Sequence, residues 1–289
     1  MFDFIINIIS ATNFPKWLSS EIFNIGPLSV KWYGVSYIIA IYSGYYYSIS
    51  VIQNPHFWFN NKTRVDADKI PNKVILQDLM FYSLLGIIIG GRVGYIALYD
   101  TSTIWMSPLD IFKVWQGGMS FHGGFLGVCL AVYYSKLKNK CNLWRLSDLI
   151  AIGAPLGLFA VRILGNFLNQ ELYGRVTDVP WAMIFSTDPY LLPRHPSQLY
   201  EAFLEGLVIF IFLRYIMFKF KALMIPGLCT GFFIFLYGCF RFLVEFFREP
   251  DNINQFGILT RGMTYSIPMI IIGALIIFKA TSRHSQNAQ

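Results

Sequence analysis

Apolar runs alternate with short polar stretches along the whole chain. Seven of the runs, near 27–52, 73–99, 117–136, 147–168, 196–219, 224–247 and 261–280, reach the roughly 20 mostly apolar residues that a helix needs to cross a bilayer. In hydrocarbon each backbone polar group must find its partner within the segment, so isolated runs of this length predict helices. No internal repeat, low-complexity block or Pro/Gly-rich linker divides them. The pattern therefore predicts an all-α integral membrane protein with seven transmembrane helices, forming one polytopic membrane domain over 1–289. Met1 to Ser20 is apolar but lacks a basic leader and a small-residue cleavage site. It reads as an interfacial segment rather than a signal peptide.

The polar positions set the orientation. With the N-terminus outside, the inward loops hold thirteen basic residues, against seven on the opposite side. The thirteen are Lys62, Arg64, Lys69, Lys73, Lys136, Lys138, Lys140, Arg145, Arg214, Lys219, Lys221, Lys279 and Arg283. Loops rich in Lys and Arg face the cytoplasm, which predicts the N-terminus out and the C-terminus in. Under this topology Tyr33 and His122 lie about six residues, or roughly 9 Å, inside the outer end of their spans. Arg92, Arg162, Asn166, Glu201, Arg241 and Glu245 approach the same end of theirs. Ionisable groups in hydrocarbon are costly and mark sites, and here they gather under one leaflet.

Composition agrees. The chain is 55% hydrophobic and only 13% charged, where soluble proteins carry about 25% charged residues. Its net charge of +7 is dispersed between apolar runs, so it reads as a topology signal and gives no nucleic-acid footprint. The four cysteines show neither a disulfide framework nor a metal spacing.

Within the site, Arg162 either snorkels to the headgroups or grips a phosphate. Asn166 and Asn169 follow on the same helical face, and a guanidinium backed by amides suits a bidentate phosphate contact. His122, flanked by paired glycines, suits a base or hydrogen-bonding role. Tyr237, Arg241 and Glu245 form one stripe at four-residue spacing, with an internal Arg–Glu pair as the plain alternative. Arg92, among Gly90, Gly91 and Gly94, reads as structural and is expected to pair with Glu201 or Glu205. Tyr33 sits in an interfacial aromatic context. Glu171 and Arg175 lie just beyond the fourth span, and His195 marks the start of the fifth.

Four motifs carry a resemblance: Gly-Gly-Met-Ser-Phe-His-Gly-Gly at 117–124, the segment Arg162 to Arg175, Arg194-His195-Pro196-Ser197-Gln198-Leu199-Tyr200-Glu201, and Arg241-Phe242-Leu243-Val244-Glu245-Phe246-Phe247-Arg248. Together, from Trp32 to about Pro268, the chain resembles the bacterial prolipoprotein diacylglyceryl transferases. The resemblance implies a multi-pass enzyme of the bacterial inner membrane, with its N-terminus periplasmic, its C-terminus cytoplasmic and its site toward the periplasmic leaflet. It implies transfer of diacylglyceryl from phosphatidylglycerol to the lipobox cysteine of a preprolipoprotein signal peptide, making a thioether and releasing glycerol phosphate. His122 and Arg241 match as catalytic positions. Arg162, Asn166, Glu171, Tyr33, Tyr237, Gly174 and Glu245 match as phosphatidylglycerol-binding positions. Two departures stand out. Gln170 replaces a usual glycine, which predicts a backbone less free to turn, and Val176–Pro193 is short for an extended periplasmic arm.

The residues suit this chemistry. A free thiol with a pKa near about 8.5 is only slightly ionised at neutral pH, so attack needs a proton acceptor, the role expected of His122. The leaving phosphate needs its growing charge neutralised, the role expected of Arg162 with Arg241. No cofactor and no metal are expected, because the lipid carries both the group and its leaving group. A polytopic transporter is the alternative class, but transporters usually show repeats and midplane sites. An intramembrane protease is disfavoured because Ser120 and His122 point apart on a helix.

Overall fold

The computed structural model describes residues 12–15, 17–25, 28–60, 63–65, 70–113, 118–249 and 259–287. It is mostly helical: α1 Trp32–Gln53, α2 Lys73–Tyr99, α3 Phe121–Asn139, α4 Leu143–Ala160, α5 Ser197–Glu201, α6 Ile209–Lys219, α7 Leu228–Val244 and α8 Arg261–Asn287. Four segments, Trp32–Gln53, Lys73–Ala97, Leu143–Phe167 and Arg261–Gln286, are long and apolar enough to cross a membrane. Ile38, Phe81, Ile89 and Phe278 on these helices are exposed, as side chains facing lipid are. This is a mostly helical membrane protein. Its residues form two compact units, one of Met1–Ser48 with Asp148–Gln289 and one of Ile49–Ser147.

The Ile49–Ser147 unit is built on the antiparallel pair α2 and α3. Gly86, Gly90 and Gly94 meet Gly123 and Gly127 so closely that backbone lies against backbone; a methyl on Gly123 would press on the Gly90 carbonyl and lie 2.9 Å from Gly94 Cα. Small residues at this spacing permit the approach. Gly123→Ala is expected to destabilise the unit by about 1–3 kcal/mol, visible as a lowered unfolding temperature in detergent. The helix α3 starts at Phe121 rather than 117, because Ser120 Oγ accepts the Gly123 N–H at 3.3 Å as an N-cap; Gly117 lies outside the described residues.

Arg92 is bound by backbone. Its guanidinium donates to the backbone carbonyls of Ile111 (3.0 Å), Asp110 (2.5 Å) and Gly118 (3.3 Å), partners that the sequence reading did not foresee. The connection between α2 and α3 folds back over the arginine and offers it carbonyl oxygens. Arg92 is structural, as expected, but with backbone partners.

In the other unit β2 (Glu21–Ile25) pairs with β3 (Leu28–Lys31) as a hairpin, so α1 begins at Trp32 and not at 27. Gly44 faces Gly153 and Gly157 faces Ala40, which brings α1 close against α4. Ser48 Oγ adds a bond to the Leu149 carbonyl at 2.9 Å. Asp148, also on α4, is buried and accepts the N–H groups of Gly227 (2.7 Å) and Thr230 (2.8 Å) and the Thr230 hydroxyl (2.7 Å). This carboxylate caps α7, and the helix accordingly starts at Leu228 rather than 224.

Two departures from α geometry follow. Val161–Phe167 continues α4 as a π-helix, and Ala202–Val208 joins α5 to α6 in the same way. In such a helix N–H groups reach back five residues, as Leu168 at the end of the first does to Ile163 (3.3 Å). Gly206 of one π-helix lies against Phe159, just before the other; a Cβ on it would meet the Phe159 Cβ at 2.7 Å. The stretch between α4 and α5 is not bare loop. Strands β1 (Thr12–Asn13), β4 (Met183–Ile184) and β5 (Pro193–Arg194) form a small sheet in the order β1-β4-β5. Phe14 is buried there against Phe167 and Phe185. Residues 1–11 and 16 of the expected interfacial segment lie outside the described residues.

Candidate active site

Four elements converge on a buried ionic cluster: the π-helix after α4, the end of α5 with its π-helical continuation, α7, and the turn that follows α7. Arg162 is 14% exposed, while Glu201 and Glu205 have no exposed side-chain surface. Arg162 Nη1 lies 3.0 Å from Glu201 Oε2 and donates to Asn166 Oδ1 at 3.2 Å; its Nη2 donates to Glu205 Oε2 at 3.3 Å. Arg241 Nη1 donates to Glu201 Oε1 at 2.9 Å, and its Nη2 lies 3.0 Å from Glu245 Oε2. Arg248 approaches Glu201 Oε1 at 3.6 Å. Glu201 thus holds three guanidinium groups from two sides. Each carboxylate offsets the desolvation of an arginine that hydrocarbon would otherwise exclude.

The cluster extends outward through amides. Asn166 Nδ2 donates to Glu171 Oε1 at 3.1 Å, and Gln198 Nε2 donates to the Glu171 carbonyl at 2.7 Å. Tyr33 packs over Gly165, where an added Cβ would stand 3.5 Å from its ring, and its hydroxyl is 3.2 Å from that of Tyr37. Tyr237 is within electrostatic reach of Glu205, Arg162, Arg241 and Glu201. Glu245 sits at the start of α8, close enough that a Cβ on Gly262 would overlap its carboxylate, so the helix N-terminus supports its charge.

The turn after α4 is strained. Gln170, Leu172 and Leu191 have φ of 55°, 60° and 47°, a region non-glycine residues seldom occupy. Gln170 turns as a glycine would, contrary to the restricted backbone expected of it. Its side-chain oxygen accepts from Ser186 N (2.7 Å) and Ser186 Oγ (2.9 Å), and its carbonyl accepts from Thr187 Oγ1. Gly174 is where chains cross: its N–H donates to the His195 carbonyl at 2.8 Å, and a Cβ there would overlap the Phe247 carbonyl. Arg194 locks this layer with a fork on Asp188 (2.6 and 3.1 Å), an ion pair to Glu249 (3.1 Å) and a face on the Tyr173 ring (4.7 Å). Burial would raise the Asp188 carboxyl, but the Arg194 bonds and the Tyr190 and Leu192 N–H groups hold it below the ordinary carboxylate range. Its stabilising contribution is therefore complete above that range and is lost as pH falls below it.

Comparison with known proteins decides what this arrangement belongs to. Residues 20–279 match the family model described as prolipoprotein diacylglyceryl transferase. The chain belongs to the prolipoprotein diacylglyceryl transferase family. It is similar to the phosphatidylglycerol–prolipoprotein diacylglyceryl transferase of Bartonella bacilliformis, with 42% identity over 95% of this chain and 96% of the relative. Proteins of the same name from Sinorhizobium medicae (44% identity, 93% of this chain and 94% of the relative) and Rickettsia akari (44%, 93% and 99%) are similar too. The chain is thus a transferase and a multi-pass membrane protein.

Of the residues expected from sequence in this diacylglyceryl transferase, the structure brings Arg162, Asn166, Glu171, Tyr237, Arg241 and Glu245 into one network, with Tyr33 packed at its edge. Asn169 does not continue the stripe. The π-helix shifts the phase after Asn166, and the amide bond runs to Glu171 instead. Gly174 stands at the neighbouring backbone crossing. His122 is exposed on α3 in the Ile49–Ser147 unit. From sequence Glu201 counts among the polar groups near the outer leaflet, but neither its role as the shared partner of three arginines nor Glu205 and Arg248 as members of the cluster was expected. The signal was present: two glutamates four apart in an apolar span need cations from other helices.

Proposed function

We propose that the chain transfers the diacylglyceryl group of phosphatidylglycerol to the thiol of the lipobox cysteine in a preprolipoprotein signal peptide. The reaction forms a thioether and releases glycerol phosphate, the first step of lipoprotein maturation. Family membership and the names of the relatives support the reaction. The observation that carries the site assignment is the buried Arg162–Glu201–Arg241 bridge.

Two arginine forks held by one fully buried carboxylate are preorganised, so little reorganisation is needed when phosphate charge develops. Arg162 and Arg241 receive the lipid phosphate. Asn166, Glu171, Tyr33, Tyr237 and Glu245 orient the headgroup and the forks, and Gly174 keeps the neighbouring backbones in contact. His122 takes the thiol proton. Sulfur attacks the glycerol carbon and the carbon–oxygen bond to phosphate breaks. The lipid carries its own leaving group, so this reaction calls for no cofactor. The seven-span, single-domain topology in the bacterial inner membrane, N-terminus periplasmic and C-terminus cytoplasmic, rests on the inward bias of basic loops. It sets the site beneath the periplasmic leaflet.

Purified protein incubated with phosphatidylglycerol and a lipobox peptide tests this. The peptide is expected to gain the mass of one diacylglyceryl unit. An unchanged peptide mass, or lipid cleavage without transfer, contradicts the reading.

A further inference from the structure

The ionic cluster contains a buried carboxylate oxygen that meets no arginine. Glu205 is fully buried, and its Oε1 has no hydrogen-bond partner; its one ion pair among the described residues is Oε2 with Arg162. Glu201 instead meets Arg162, Arg241 and Arg248, and Glu245 meets Arg241 at the start of α8. Among the described residues Arg162, Arg241 and Arg248 face Glu201, Glu205 and Glu245, with Glu171 joined through Asn166, so the cluster has no surplus cation before any lipid arrives. A phosphodiester adds one negative charge to a site with no surplus cation. Burying an uncompensated charge is unfavourable enough that a group protonates instead.

We infer that Glu205 takes up a proton as the phosphatidylglycerol phosphate binds, which frees Arg162 Nη2 to turn from the carboxylate to the phosphate. The groups around Glu205 come from each neighbouring element: Arg162 after α4, Glu201 on α5, and Tyr237 and Arg241 on α7. Arg162 and Arg241 are the phosphate's partners and Glu201 is held by three cations, whereas Glu205 has a buried oxygen without a partner and gives up its ion pair when Arg162 turns to the phosphate. Its neutral form keeps an O–H to donate while Arg162 is redirected. Glu205 acts here as a positioning residue, and lipid affinity becomes linked to pH.

This inference rests on the proposed reaction. The test is calorimetric titration of dioctanoyl-phosphatidylglycerol into the full-length protein in detergent, in paired buffers of different ionisation enthalpy across neutral to alkaline pH. The expected result is uptake that approaches one proton per lipid as pH rises, with KM for the lipid rising about tenfold per pH unit once Glu205 is ionised. Glu205→Gln should abolish the uptake and flatten the KM profile, and Glu205→Asp should retain both. Lipid binding by the unaltered protein without proton uptake overturns the inference alone, as does uptake that persists in Glu205→Gln. No lipid binding and no transfer overturn the site assignment and this inference with it.

Discussion

Arg162→Ala is expected to abolish diacylglyceryl transfer, and Arg162→Lys to restore little of it. The guanidinium binds Glu201, Glu205 and Asn166 through its two terminal nitrogens, so its plane is fixed before lipid enters. A lysine offers one compact charge and cannot span these directions at once. Loss of a single preorganised donor to a developing oxyanion costs about 10²–10³-fold in kcat; the alanine variant loses the whole fork and should fall below that. Glu201 still holds Arg241 and Arg248, but Glu205 loses its ion pair, so a melting curve in detergent separates lost chemistry from lost fold. Near-native transfer by Arg162→Ala removes the phosphate clamp from the account.

The second large effect is on stability. Glu201→Ala strips the partner shared by Arg162, Arg241 and Arg248, which lie 3.0, 2.9 and 3.6 Å from its carboxylate. Breaking a buried pair on one side costs about 3–5 kcal/mol, because charge is left without compensation. The variant should therefore lose folded protein as well as activity. Glu201→Gln should lose less, since its amide oxygen still accepts one guanidinium. An unchanged unfolding temperature for Glu201→Ala would show that the arginines find other partners and that the cluster does not hold these helices together.

Much of the helical layout was legible from run length, because a lipid-spanning segment has few alternatives to helix. The ends were less legible. Trp32 starts its helix where the preceding hairpin ends, and Leu228 where a cap remote in sequence, Asp148, dictates. The stripe Tyr237–Arg241–Glu245 was readable from four-residue spacing because α7 is regular there. The run from Arg162 was readable only as far as Asn166, since π geometry changes which residues share a face. The partners of Glu201 and Glu205 were not legible at all: spacing relates residues on one helix, while these glutamates are matched across helices. The carbonyl partners of Arg92 were equally hidden, because they come from the connection that follows α2. Gln170 shows the same limit in another form, because bonds from Ser186 and Thr187 accompany a turn usually left to glycine.

Arg162 and Arg241 together are expected to hold the lipid phosphate. A structure determined with phosphatidylglycerol bound tests it most directly. Phosphate oxygens within about 3 Å of both guanidinium groups, with Arg162 Nη2 turned away from Glu205, is the predicted result. A phosphate seated away from both forks, with Arg162 still bound to Glu201 and Glu205, would contradict it.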